Sequence, residues 1–168
     1  LAYNMPAAVK LTGVVDFDKF EESFQLLIQR HEILRTYFKS NEEGEVQQYI
    51  LPSEKVDFKI VPKDFSKIEN QEDEVAHYLQ EINNKPFDLE KAPLISASLI
   101  KLEDKEYVFF LSLHHIIGDG WSIELLISEV VKTYNDLVAG RTINLPELSV
   151  QYKDYAVWLN EELHQEQY

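Results

Sequence analysis

The segment Leu113-His114-His115-Ile116-Ile117-Gly118-Asp119-Gly120-Trp121-Ser122 sets two histidines, an aspartate and two glycines between an apolar run and a helix-like pattern. Imidazole titrates near neutral pH and can take or hold a proton there. A glycine-bearing turn at the end of a strand is held by the scaffold behind it, a common setting for binding and chemistry. Four readings of the segment compete. As a metal site it is poor, because adjacent strand residues point to opposite faces and His114 and His115 do not look at one ion; no metal is expected. As nucleophilic catalysis it lacks a serine or cysteine constellation. As a plain turn, Asp119-Gly120 simply links strand to helix. As general-base catalysis, one histidine projects into a cleft while its neighbour points into the core. This last reading fits both the alternation and the apolar flank that keeps water out.

Asp119 lies four residues past His115, beyond the strand end, so direct help to the imidazole is not assured by spacing. A buried carboxylate is costly without a cation. The segment Arg30-His31-Glu32-Ile33-Leu34-Arg35-Thr36-Tyr37-Phe38 offers Arg30 and Arg35. The expected role of Asp119 is therefore an arginine–aspartate bridge that shapes the turn. The competing reading of the arginine segment is an ordinary solvated helix end.

The elements that must position these residues follow from periodicity. Ala7 to Val15 reads as a strand. Asp16 to Gln29 reads as a helix, with Phe17, Phe20, Phe24, Leu27 and Ile28 at helical spacing and Asp16 as N-cap. Strands are expected over Arg35 to Lys39, Glu45 to Leu51 and Val56 to Val61, with a turn at Asn41 to Gly44. A helix over Gln71 to Asn83 stops near Pro86. Pro93 to Leu102 and Glu106 to Leu113 read as an antiparallel hairpin about Glu103-Asp104-Lys105. Its second strand is nearly all apolar, as a central buried strand would be, and it delivers the histidines. Ile123 to Leu137 repeats at helical spacing until Gly140. A last helix runs from about Ser149 to Leu163, with Tyr155 and Trp158 expected to pack it. The order implies an α+β fold, an α/β two-layer sandwich in which helices cover a mixed sheet.

Composition bounds the function. The chain has 168 residues, the size of one domain, and is 45% hydrophobic and 12% aromatic, enough for a core. It contains no cysteine, so disulfide and thiolate chemistry are excluded. Its net charge of −14 repels phosphates and disfavours nucleic acid and anionic membranes. No run is long enough to span a membrane and no signal pattern opens the sequence, so a cytoplasmic location is expected.

Three segments then coincide. Arg30 to Phe38, His114 to Ser122 and Tyr152-Lys153-Asp154-Tyr155-Ala156-Val157-Trp158 together resemble a condensation domain of nonribosomal peptide synthetases, in family order and across nearly the whole chain. The histidine motif alone is shared with other acyltransferases of the chloramphenicol acetyltransferase superfamily; the other two segments narrow it. Gly118 stands where many members have serine. The family's first motif and the motifs of its second half are absent. The resemblance therefore implies the N-terminal lobe of a two-lobed domain.

By resemblance, the parent enzyme joins two acyl groups carried as thioesters on the phosphopantetheine arms of donor and acceptor carrier proteins, with no cofactor bound by the domain itself. The resemblance assigns His115 as general base or positioner of the amine, His114 a more structural role, and Asp119 a salt bridge to Arg30 or Arg35. Gly120 falls at the start of the following helix, where backbone amides can polarise a thioester oxygen. The family's tunnel lies between two lobes, so this lobe alone is expected to be inactive. Two alternatives remain open: an acyltransferase that uses acyl-coenzyme A, and a non-catalytic carrier-docking module.

Overall fold

A computed structural model describes residues 3–165. Its centre is a four-stranded mixed sheet, in the order β1 (Asn4–Thr12), β6 (Glu106–His114), β5 (Ile95–Glu103), β4 (Ile60–Asp64). β6 pairs antiparallel with β1 and β5, and β4 runs parallel to β5. A separate antiparallel hairpin joins β2 (Thr36–Ser40) to β3 (Val46–Ile50). The helices are α1 (Phe17–Arg30), α2 (Gln71–Asn83), α3 (Gly120–Val138) and α4 (Tyr152–Gln165). The α+β expectation, a mixed sheet covered by helices, is the architecture found.

Alternation along β5 and β6 explains the layers. Ile95, Ala97, Leu99, Phe109, Leu111 and Leu113 face one side and join the core with Phe20, Phe24, Leu27 and Ile28 of α1 and Ile123, Leu126 and Val130 of α3. The α1 residues recur at i, i+4, i+7 and i+8, the stripe a helix must bury. Phe20 meets Phe109 edge to face with centroids 5.0 Å apart. The other face of the sheet is small and polar at Ser98 and Ser112. There α2 adds a third layer where two were expected, with Tyr78 Oη 3.2 Å from Ser98 Oγ and Ser112 Oγ donating to Asn83 Oδ1 at 3.2 Å.

β6 lies between β1 and β5, the central strand its apolar sequence predicts. Asp16 caps α1 by accepting from the Lys19 amide at 3.1 Å, as expected. Among the boundaries that differ, three have a local cause. The first strand ends at Thr12, because Gly13 adopts φ 115° and turns the chain away, although Val14 and Val15 continue the β-branched pattern. β4 starts only at Ile60; the apolar signal before it comes from Phe58, which leaves the sheet to stack on Phe24 at 5.2 Å. The last helix starts at Tyr152, where Asp154 accepts from the Gln151 amide at 2.9 Å. Its Tyr155 and Trp158 lie about half exposed and meet each other with centroids 5.8 Å apart, outside the core cluster of the described residues. No helix among the described residues is long and apolar enough to cross a membrane.

Candidate active site

β6 ends at His114, and the chain then turns through residues 115–119 into α3. Strand alternation separates the two histidines. The His114 ring is half-buried beside Tyr3 and Phe87, at centroid distances of 5.8 and 6.4 Å, and its Nδ1 accepts from the Ile116 amide at 3.1 Å. Nδ1 is therefore unprotonated and the proton sits on Nε2. Burial disfavours the imidazolium and holds the His114 pKa below its ordinary value. The expectation that this ring enters the core is corrected by the packing: it lies at the sheet's end, outside the main apolar cluster.

The His115 side chain is exposed, and its Nδ1 lies 2.8 Å from the Gly118 carbonyl oxygen. A carbonyl has no proton to give, so Nδ1–H is the donor. In the neutral ring the lone pair is then on Nε2, the arrangement a base needs. His115, Gly118, Asp119 and Ser122 line a cleft of about 420 Å³ together with His31, Gln151 and Tyr152. An apolar alcove of about 120 Å³, lined by Leu34, Leu113 and Leu126, shares His31 and Ser122 with that cleft. Among the described residues, no three His, Asp or Glu side chains converge as metal ligands would.

Asp119 does not bridge to Arg30 or Arg35, and the expected arginine–aspartate pair is corrected here. Asp119 is the exposed N-cap of α3. Its Oδ1 accepts from the Ser122 amide at 2.9 Å and from the Ser122 hydroxyl at 2.7 Å, while the Ser122 hydroxyl accepts from the Asp119 amide at 3.2 Å. This reciprocal capping satisfies donors that the first turn leaves without partners. The same bonds from Ser122 hold the Asp119 carboxyl below its usual range. Being exposed, Asp119 needs no cation, and so the reasoning that demanded one fails. Gly120 opens the helix, and its Cβ-free face meets open space. Its amide and that of Trp121 lie in the first turn, where the helix supplies no acceptor.

Each arginine pairs with a different carboxylate. Glu129, buried mid-way along α3, receives His31 Nε2 at 2.6 Å and Arg30 Nε at 3.4 Å. Arg30 also donates to the Pro146 carbonyl. Arg35 bonds the Leu51 carbonyl at 2.9 Å and lies 3.6 Å from Glu32. The segment is thus no solvated helix end. Gln151 ties it to α4, its amide group donating to the Arg30 carbonyl at 3.0 Å and accepting from the Glu32 amide at 3.1 Å. Lys153 completes the tie with Glu32 at 2.7 Å.

A family model described as "Condensation domain" matches residues 1–168. The chain belongs to the condensation-domain family. It is 39% identical over 158 residues to tyrocidine synthase 3 of Brevibacillus parabrevis, a match covering 94% of this chain and 2% of that protein. It is 40% identical over 158 residues to bacitracin synthase 3 of Bacillus licheniformis, again covering 94% of this chain and 2% of that protein. The structure of the starter condensation domain of rhizomide synthetase superposes with TM-score 0.83 at 21% identity, over 98% of this chain and 38% of that one. The chain therefore spans a small part of its curated relatives and under half of that solved domain.

Of the residues singled out in the sequence, this member of the family gathers His114, His115, Asp119 and Gly120 at one strand-to-helix turn. Arg30 and Arg35 stand apart on a structural network. Sequence reasoning missed Glu129, Ser122 and Gln151. Glu129 was findable: it interrupts the apolar stripe of Ile123, Leu126 and Val130, where an acid is tolerated only with a partner. Ser122 was findable as the third residue after an aspartate that starts a helix. Gln151 carried no signal, because its bonds are to backbone groups distant in sequence.

Proposed function

We propose that this chain is the N-terminal lobe of a condensation domain that forms amide bonds between acyl groups delivered as thioesters by donor and acceptor peptidyl carrier proteins. The observation that carries the reading is His115: its Nδ1–H is tethered to the Gly118 carbonyl and its free Nε2 borders the cleft. The acceptor amine attacks the donor thioester carbonyl. A carbon–nitrogen bond forms, the carbon–sulfur bond breaks, and the amine proton leaves by way of His115 Nε2 to the departing thiolate. His115 acts as base or as positioner of the amine. The amides of Gly120 and Trp121, at the positive end of α3, are the groups in this lobe suited to polarising the thioester oxygen. His114 and Asp119 hold the turn. The phosphopantetheine arms belong to the carriers, and the chain itself needs no bound cofactor.

The cleft is open on one side, and Trp121, Tyr152, Tyr155 and Trp158 stand exposed, Trp121 at 82%. Exposed aromatic surface of this kind is what a covering partner buries. This supports a C-terminal lobe as the missing wall, and an inactive lobe when alone. A cytoplasmic synthetase of the peptide-antibiotic type is the setting that suits such a domain. The experiment is an amide-formation assay with aminoacyl-loaded donor and acceptor carriers, run with the complete domain and with this chain alone; acyl-coenzyme A replaces the loaded donor in a third arm. The complete domain is expected to form dipeptide from loaded carriers and the lone chain none. Dipeptide formation by the lone chain would refute the half-site, and turnover only with acyl-coenzyme A would refute the carrier-borne substrate.

A further inference from the structure

We propose that Ser122 is a positioning residue for His115, acting through one peptide plane; the inference rests on the proposed role of His115 in the cleft. The Gly118 carbonyl and the Asp119 amide belong to the same peptide unit, which is planar and trans, so its C=O and N–H point in opposite directions. On one side the C=O accepts from His115 Nδ1 at 2.8 Å. On the other the N–H donates to Ser122 Oγ at 3.2 Å. The Ser122 hydroxyl is itself aimed by its bond to Asp119 Oδ1 at 2.7 Å, and the Ser122 amide donates to that same oxygen at 2.9 Å. The plane is clamped between the imidazole and the first turn of α3. Rotation of the plane would take the carbonyl away from Nδ1 and release the ring to the other tautomer, with Nε2 protonated and useless as a base. The Asp119 amide also faces its own carboxylate, so Ser122 shares the hold on the plane with Asp119.

Gly118 belongs to the same device. A Cβ there would stand 3.1 Å from Ser122 Cβ and 3.4 Å from Leu113 Cδ1. The missing side chain lets Ser122 close over the plane. A side chain at 118 requires its neighbour Ser122 to give by a few tenths of an ångström.

The test is ¹⁵N NMR of histidine-labelled complete domain, with the His115 signals identified by their loss in His115→Ala, alongside dipeptide kinetics. The wild type is expected to show His115 as a single neutral tautomer, protonated at Nδ1. Ser122→Ala should give a mixture of tautomers and lower kcat about tenfold, a fraction of the roughly 10²–10⁴-fold that a base supplies. KM for the loaded carriers should not change. Ser122→Thr, which keeps the hydroxyl, should restore both the tautomer and kcat. Gly118→Ala approaches from the other side, leaving the hydroxyl in place, and should also mix the tautomers. A single Nδ1–H tautomer in both Ser122→Ala and Gly118→Ala would overturn the proposal, as would a fall in kcat without any tautomer change. The tautomer readout needs no turnover, so failure of the carrier-dependent reaction itself would be seen separately, in the wild type.

Discussion

The first turn and the middle of α3 each carry a carboxylate of the kind that sequence reasoning assigns to an arginine. Asp119 sits at the exposed end, where backbone amides and a serine hydroxyl satisfy it. Glu129, nearly three turns further on, is buried against α1 and takes both His31 and Arg30. The difference is solvent. Water and unpaired helix amides stabilise a carboxylate at an N-cap, so no cation is required there. Ten residues inward there is neither, and a charge survives only with fixed opposite charge and donors around it. The two carboxylates therefore serve separate regions. The turn before α3 holds the groups proposed to react, and the Glu129 network links α1 to α3 behind them.

The comparison breaks most readily at Glu129. Glu129→Ala leaves Arg30 and His31 buried without their acceptor and should cost about 3–5 kcal/mol of stability. Equilibrium urea denaturation measures it; a loss below about 0.5 kcal/mol, ordinary for a surface site, would show that the network is not a framework. Asp119→Asn should cost only a small fraction of that, since asparagine caps a helix about as well as aspartate. The same denaturation experiment decides, and a loss matching that of Glu129→Ala would restore a buried arginine partner for Asp119.

The smallest expected effect concerns pH at His114. Burial lowers its folded pKa, whereas the unfolded chain has the ordinary value of about 6.5. The sign follows from linkage. Above pH ~6.5 both states are neutral and the contribution to stability is complete. As pH falls below that value the unfolded state takes up the proton first, and stability declines until pH passes the folded pKa. The protonated ring also loses the Nδ1 acceptor that holds the Ile116 amide. His114→Gln should flatten the stability profile between about pH 7 and 5; an unchanged slope would remove His114 from the account.

Much of this was legible in the sequence because it is local. Asp16 as a cap, the helix over residues 71–83, the hairpin of β5 and β6 and the central place of β6 all follow from periodicity and short-range hydrogen bonding. The turn at residues 114–122 was legible as a chemical cluster for the same reason. Its internal wiring was not, since whether Asp119 is buried or exposed depends on where the α3 terminus meets solvent, which no spacing reveals. The partners of Arg30 were hidden by distance: Glu129 lies 99 residues on, and pairing over that range is set by the packing of α1 on α3. Tyr155 and Trp158 misled in the opposite direction. Their spacing promises a buried face, yet among the described residues both stay about half exposed.

The central claim is that the reactive groups are concentrated at the turn and separable from the framework. It is tested most directly by measuring dipeptide formation and thermal unfolding together for His115→Ala in the complete domain. The exposed His115 ring makes one side-chain bond, to Gly118, so its removal should leave Tm nearly unchanged while the rate falls about 10²–10⁴-fold. An unaltered rate of dipeptide formation, or a rate that falls only as far as the folded fraction falls, would contradict it.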